Sequence, residues 1–246
     1  MASNSQYINL NRKIINCTKC RRLVTFRKKI AKDKRKQYIN EKYWGKPRTG
    51  FGDIRGKILL VGLAPAAHGG NRTGRVFTGD RSAEFLYKCL YNAKMSNKST
   101  SEYKNDGLKL YNTYVTTALK CVPPGDKPTH SELETCFKHF KQEIDLLRNV
   151  KIIVALGKIA FDACIQFYKE NYFFKNKPIN FKPSPWPRSQ DLEPLISLPF
   201  VINILKKKDL IKWGSCVGKK PFFYDGWACP FFLLTALPFG VFLFVP

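Results

Sequence analysis

Three groups of residues in this sequence have types and spacings that can do chemistry. The first is the stretch Gly62-Leu-Ala-Pro-Ala-Ala-His-Gly-Gly-Asn-Arg-Thr-Gly-Arg-Val-Phe-Thr-Gly-Asp80. Its glycines let backbone approach a ligand, and Arg72 and Arg75 carry forks suited to phosphate. No Gly-Lys-Ser/Thr follows and no GxGxxG is present, so the common nucleotide loops are excluded. What remains is an anion-cradling loop with one imidazole, His68, one aromatic ring, Phe77, and one carboxylate, Asp80. The second group is cysteine. Cys17-Thr-Lys-Cys20 is a CxxC pair, and Cys121 and Cys136 follow far downstream. Four thiolates can hold a tetrahedral zinc or an iron–sulfur cluster. The second pair is not a CxxC, so a zinc ribbon fits poorly. Uneven spacing with Val122-Pro-Pro124 after a ligand suits a cluster bound by loops, and unrelated core cysteines are the third reading. Cys89 and Cys164 fall on apolar helix faces and are expected in the core. The third group is the basic run from Arg12 to Arg48, opposed only by Asp33 and Glu41 and interleaved with Tyr38, Tyr43 and Trp44. That mixture suits phosphate contact plus stacking, although a solvated helical face is the plainer alternative.

These groups need elements to position them. A chain of 246 residues, 44% of them hydrophobic and 14% aromatic, can bury a core, which excludes wholesale disorder and low-complexity classes. Lys and Arg number 43 against 18 Asp and Glu, a net charge of +25, which implies a polyanionic partner, nucleic acid first and an anionic membrane second. Lys57-Ile-Leu-Leu-Val-Gly62, Tyr114-Val-Thr-Thr117 and Lys151-Ile-Ile-Val-Ala-Leu-Gly157 read as buried parallel strands. Ala83 to Ala93 and His130 to Leu147 show helical spacing, with Ser131 and Glu134 placed as a capping box. The alternation predicts an α/β fold, a three-layer α/β/α sandwich around a short, mainly parallel sheet. Ligands in such sheets sit beyond the carboxyl ends of the strands, in the loops after Gly62, Thr117 and Gly157.

After about Phe181 the texture changes. Pro183, Pro185 and Pro187 come in quick succession, and the stretch from Gly226 to Pro246 has no charged residue. Pro230 and Pro238 interrupt that stretch, so a membrane anchor is not expected. Met1 to Asn11 is polar and lacks the apolar segment of a signal peptide, which predicts an intracellular protein, cytoplasmic or nucleoid-associated. Cys216 and Cys229 lie in this last segment and receive no role.

The glycine-rich loop and the cysteines together resemble the uracil-DNA glycosylase superfamily, and within it the family 5 iron–sulfur enzymes often called type B. The resemblance rests on Gly62-Leu-Ala-Pro-Ala66, His68, Asn71-Arg-Thr-Gly-Arg75, Phe77-Thr-Gly-Asp80 and four cysteines at compatible spacing, and runs from about Ile15 to Phe181. It implies a DNA-repair hydrolase that extrudes uracil, and other deaminated bases, and cleaves the N-glycosidic bond. It also implies a structural [4Fe-4S] cluster on Cys17, Cys20, Cys121 and Cys136. Phe77 would stack on the flipped base, and backbone at Gly62, Leu63 and Ala64 would read its polar edge. Asn71 and Arg75 would complete the substrate contacts. The departing base builds negative charge while the sugar becomes oxocarbenium-like, so a carboxylate near the sugar and donors near the base are required. Asp80 is expected to be that carboxylate, with His68 and Thr117 as its catalytic companions. Ala66 stands where related families place a water-activating acid or amide. Asp80 would also serve as a helix N-cap. The partner implied is DNA, with no oligomer.

Two departures from the family pattern stand out. Thr116-Thr-Ala-Leu-Lys-Cys121 puts Thr117 where the family carries an asparagine, and a hydroxyl orients water or base less rigidly. The third motif, a late His-Pro-Ser, is missing: no histidine follows His139, and Lys182-Pro-Ser184 arrives too soon after Gly157 to replace it. His130 and His139 are expected to be structural. Residues 1–181 are therefore read as the glycosylase-like domain and 182–246 as an atypical tail, the product of a shifted reading frame, which would impair activity. The competing reading is a non-catalytic metal-containing protein that binds nucleic acid through its basic N-terminal third.

Overall fold

The computed structural model describes residues 4–171 and 199–203. The remainder of the expected tail, with Lys182-Pro-Ser184, Cys216 and Cys229, lies outside the described residues. The centre of the sheet is β2 (Ile58–Gly62) between β3 (Thr113–Thr117) and β4 (Ile152–Leu156), all parallel. Two short strands close its edges antiparallel, β1 (Phe51–Gly52) on β3 and β5 (Pro199–Asn203) on β4, for the order β1-β3-β2-β4-β5.

Successive side chains of a strand face opposite sides, so a strand buried on both faces must be apolar throughout. Leu59 and Val61 face one side, with Phe137 and Phe140 of α5 (His130–Leu146) and Phe161 of α6 (Lys158–Asn171). Leu60, between them, faces Ala83, Tyr87 and Leu90 of α4 (Arg81–Asn92) on the other. This is the expected three-layer arrangement. Two further helices, α1 (Asn4–Ile15) and α2 (Arg21–Asp33), carry much of the basic run, α1 packs against α5, and a single turn, α3 (Gly70–Thr73), lies in the loop after β2. Helix α5 begins two residues earlier in its cap than expected. Thr129 Oγ1 accepts from Glu132 N–H (3.3 Å) while Glu132 Oε2 accepts from Thr129 N–H (2.9 Å), so the capping box is Thr129 with Glu132 rather than Ser131 with Glu134. Arg22 of α2 then grips Glu132 through Nε (2.8 Å) and Nη2 (2.7 Å), which ties α2 to α5 and holds that carboxyl below its usual range. Among the described residues no helix is long and apolar enough to cross a membrane.

Candidate active site

The sheet register brings Gly62 at the end of β2 opposite Thr117 at the end of β3. The loop that leaves Gly62 returns Phe77 directly onto it: a Cβ at Gly62 would sit 2.4 Å from Phe77 Cζ. Phe77 holds a left-handed φ of 47°, between Gly74 at 91° and Gly79 at 73°. A bulky aromatic held there stores roughly 1–3 kcal/mol of backbone strain, which persists because the surrounding loop is heavily cross-linked. Thr117 is 1% exposed, and its Oγ1 has no hydrogen-bond partner among the described residues. An unpaired buried hydroxyl costs about 1–3 kcal/mol and marks a position where a ligand or water belongs.

Asp80 is the N-cap of α4, with Oδ1 accepting from Ala83 N–H at 2.9 Å. Its other oxygen lies against Gly69, where a Cβ would fall 2.0 Å from Oδ2. Burial raises the Asp80 carboxyl above its ordinary range, against the Ala83 and Ser82 N–H groups that favour the carboxylate. On the same loop His68 Nδ1 lies 3.0 Å from Tyr43 Oη. Burial lowers the imidazole's pKa, and the charges of Arg35 and Arg72 lower it further, so His68 is neutral at pH 7. In the tautomer where Tyr43 donates to Nδ1, the ring proton sits on Nε2.

Several groups expected to meet the ligand are committed to the protein instead. Arg75 is 5% exposed and grips Asp106 with Nη1 (2.9 Å) and Nη2 (2.6 Å); its Nε reaches Thr78 Oγ1 and its Nη2 also reaches Ser101 Oγ. Arg72 bonds the carbonyls of His68 (2.6 Å) and Gly79 (3.2 Å) and the Glu41 carboxylate (2.5 Å). Asn71 is buried and donates to the Arg27 carbonyl at 3.2 Å. With these bonds the three side chains staple the loop to α2, Glu41 and Asp106. Similarly, the Gly62 and Leu63 carbonyls accept from Ala118 and Leu119 N–H, extending β3. The aromatics of the basic run also serve the protein's own cations. Tyr38 lies 3.8 Å under Arg72, Trp44 carries Arg48 at 4.7 Å and Lys104 at 4.9 Å, and Tyr43 is the partner of His68.

Cys17, Cys20, Cys121 and Cys136 line one cavity with Leu23, Pro47, Leu119 and His139. All four are free thiols, and Cys89 and Cys164 are buried in the core as expected. Burial pushes Cys121 up to about 11 and Cys136 up to about 12. Lys120 N–H points at Cys136 Sγ (3.2 Å), and Cys20 is the N-cap residue of α2, its thiol held above the ordinary range by burial and by Cys17 and Glu132 beside it. Among the described residues no three of His, Cys, Asp and Glu stand close enough to share a single metal ion. One tetrahedral zinc would need its sulfurs about 3.8 Å apart, from a bond of about 2.3 Å.

Sequence reasoning missed the buried pair Lys120 and Glu143, each 1% exposed, joined in direct contact between the sheet and α5. Lys120 Nζ also donates to Thr116 Oγ1 (2.7 Å) and the Thr117 carbonyl (2.9 Å). Glu143 accepts from Thr116 Oγ1 (2.6 Å), Tyr114 Oη (3.0 Å) and Gly50 N–H (2.9 Å). The available signal was an acid at an inward helical position, three residues after Phe140 and beside Ile144.

The chain matches the family model of the uracil DNA glycosylase superfamily over residues 49–201. It belongs to that superfamily. A type-5 uracil-DNA glycosylase of Thermus thermophilus is 47% identical over 152 residues, 62% of this chain and 68% of the relative. The type-5 enzyme of Pyrobaculum aerophilum is 41% identical over 160 residues, 65% and 70% respectively. That of Mycobacterium bovis is 42% identical over 158 residues, 64% and 59%. The glycosylase superfamily match thus covers the Phe77 loop, β2, β3 and β4, and reaches beyond residue 181.

Proposed function

We propose that this protein excises uracil from DNA by hydrolysing the N-glycosidic bond of an extruded nucleotide. The observation that carries the reading is the Phe77 ring seated on Gly62 opposite the unpartnered hydroxyl of Thr117, with the half-buried Asp80 carboxylate on the same loop. Phe77 stacks on the flipped base, a contact worth about 1–3 kcal/mol. The Thr117 hydroxyl orients the attacking water or a base oxygen. Burial disfavours the Asp80 anion in the resting site, so positive charge developing on the sugar relieves that penalty only as the bond breaks. Neutral His68, held by Tyr43, is available to donate toward the departing base. Arg72, Arg75 and Asn71 act at one remove by keeping the loop in this shape. DNA backbone runs over the exposed cations of α2 and the following turn, including Lys28, Lys32 and Lys46.

The four cysteines fit a [4Fe-4S] cluster better than zinc, because they share one cavity without the close separation a single ion needs. When bound, the cluster supplies a cross-link joining α2 to the segment after β3 and to α5. The domain proposed to carry the chemistry is residues 1–181. Beyond about Phe181 the family match still runs to residue 201 and Pro199–Asn203 pairs with β4, so a shifted frame is proposed only after that strand, and another frame of the gene is expected to contain a His-Pro-Ser stretch.

The decisive measurement is uracil release from single- and double-stranded DNA by the wild type and Asp80→Ala, together with a visible spectrum. Release that the substitution abolishes, from a brown protein absorbing at about 400 nm, is expected. The missing third-motif histidine favours one competing reading, a non-catalytic DNA-binding protein. Salt-sensitive DNA binding with no base release would establish that alternative. A further expected result concerns Gly62→Ala. The added methyl displaces the Phe77 ring, and kcat/KM for uracil release falls by about 100-fold, because a shift of about 1 Å in a positioning group suffices for such a loss. An unchanged rate would remove Phe77 from the site.

A further inference from the structure

Two guanidinium groups are buried beside the cysteine cavity without an acid to neutralise them. Arg27 of α2 is 4% exposed and donates to the carbonyls of Gly45 (2.5 Å, Nη1) and Cys17 (3.3 Å, Nη2). Arg48 is 2% exposed, stacks on Trp44 and donates to the Lys46 carbonyl, while its backbone N–H bonds the Lys120 carbonyl beside Cys121. The Nε atoms of both have no hydrogen-bond partner, and neither side chain forms an ion pair among the described residues. Carbonyl oxygens solvate a cation but do not cancel its charge, and buried charges persist where something compensates them. The two also act on each other: burial lowers the Arg48 pKa to about 9, and the charge of Arg27 adds to that. What both lie against is the backbone of the cysteine segments: Arg27 donates to the carbonyl of Cys17 itself, and Arg48 is tied by its N–H to the residue preceding Cys121.

We propose that Arg27 and Arg48 are built-in counter-charges for the iron–sulfur group on Cys17, Cys20, Cys121 and Cys136. A [4Fe-4S] cluster with four thiolate ligands is a net dianion in its common oxidised state, and two buried cations match it. The inference rests on the cofactor reading above. It extends that reading to charge matching: metal-free, the site holds two like charges that repel, and loaded, it is balanced. The two states of the protein therefore respond to loss of one arginine in opposite directions. His139, which lines the same cavity with both ring nitrogens unpartnered, is placed to add an N–H toward sulfur.

The test compares the full-length wild type, Arg48→Met and Arg48→Lys, each prepared metal-free and after loading with ferrous iron and sulfide under anaerobic conditions. Methionine keeps the packing on Trp44 and removes the charge. Arg48→Met is expected to lose its iron to a chelator at least tenfold faster than wild type, while its metal-free form melts at the same or a higher temperature. Arg48→Lys, and Arg27→Lys as a second position, retain iron close to wild type because they keep the charge. Equal falls in melting temperature for metal-free and loaded Arg48→Met would show a purely structural arginine and overturn the proposal. So would iron loss at the wild-type rate. A wild type that takes up no iron and sulfide would overturn the cofactor reading and this inference with it, whereas uptake with indifferent variants overturns the inference alone.

Discussion

Asp80→Asn is expected to slow uracil release by roughly 10²–10³-fold while leaving the fold at least as stable. The two halves of that result separate the residue's two roles. As N-cap of α4, Asp80 accepts from Ala83 N–H, and asparagine performs that task about equally well, so the helix start survives. As the carboxylate facing a developing oxocarbenium ion, Asp80 has no substitute in asparagine, and loss of such electrostatic help costs two to three orders of magnitude in rate. The stability half follows from linkage. Burial raises the folded carboxyl pKa above its unfolded value, so the stability it contributes is present below the unfolded pKa and is lost as pH rises through the folded one. At neutral pH the ionised Asp80 is a cost to folding, and asparagine removes it. The same shift sets the pH dependence: activity falls on the acid side at a pH above the ordinary aspartate range, as Asp80 protonates. Asp80→Ala, by contrast, loses the cap as well, about 1 kcal/mol. Thermal melting beside single-turnover rates distinguishes these outcomes, and an Asp80→Asn protein that keeps wild-type rates would end the catalytic assignment.

The second large effect lies in the buried pair behind Thr117. Lys120→Met or Glu143→Leu alone is expected to destabilise the protein by about 3–5 kcal/mol, since each leaves the other charge uncompensated. For a chain of this size that corresponds to a fall of roughly 10 °C or more in Tm. The double substitution, which replaces both charges by apolar volume, should recover most of the loss. It should not recover activity. Lys120 Nζ holds the Thr117 carbonyl at 2.9 Å and Thr116 Oγ1 at 2.7 Å, so the double variant keeps the β2–β3 pairing but loses the side-chain anchor that sets the end of β3 behind Thr117. Uracil release about tenfold or more below wild type in a stable double variant would show that the pair positions the site. Burial alone would raise the Glu143 carboxyl, but Lys120 and the hydrogen bonds from Thr116 and Gly50 hold it below the usual glutamate range. Its stabilising contribution is therefore present above the unfolded glutamate pKa and lost as pH falls through the lower folded value. In Lys120→Met that acid-side loss should disappear. Melting temperatures between pH 3 and 7, a range set by carboxylate titration, would check the sign.

Reading along the chain found what depends on local order. Apolar runs ending at Gly62, Thr117 and Leu156 became the three parallel strands, and the acid after Thr-Gly became the cap of α4. The cap of α5 was displaced by two residues because Thr129 and Ser131 offer equivalent hydroxyls, and only the helix start decides between them. The intramolecular partners of Arg72, Arg75 and Asn71 were hidden for a different reason. A fork next to glycines suits an anion equally well whether that anion is a phosphate or Asp106, and sequence does not reveal which one lies in reach.

The sequence by itself determined the chemical inventory and its order on the elements: a glycine-rich loop with imidazole, ring and carboxylate after the first parallel strand, four cysteines, and a basic N-terminal third. Tertiary structure alone decided which charges are buried and what faces them. It sealed Lys120 with Glu143, left Arg27 and Arg48 without an acid beside the thiols, and left the Thr117 hydroxyl unpartnered opposite Phe77. The reason is physical: burial and pairing depend on contacts between residues distant in the chain, and a charge changes its meaning when water is taken away from it.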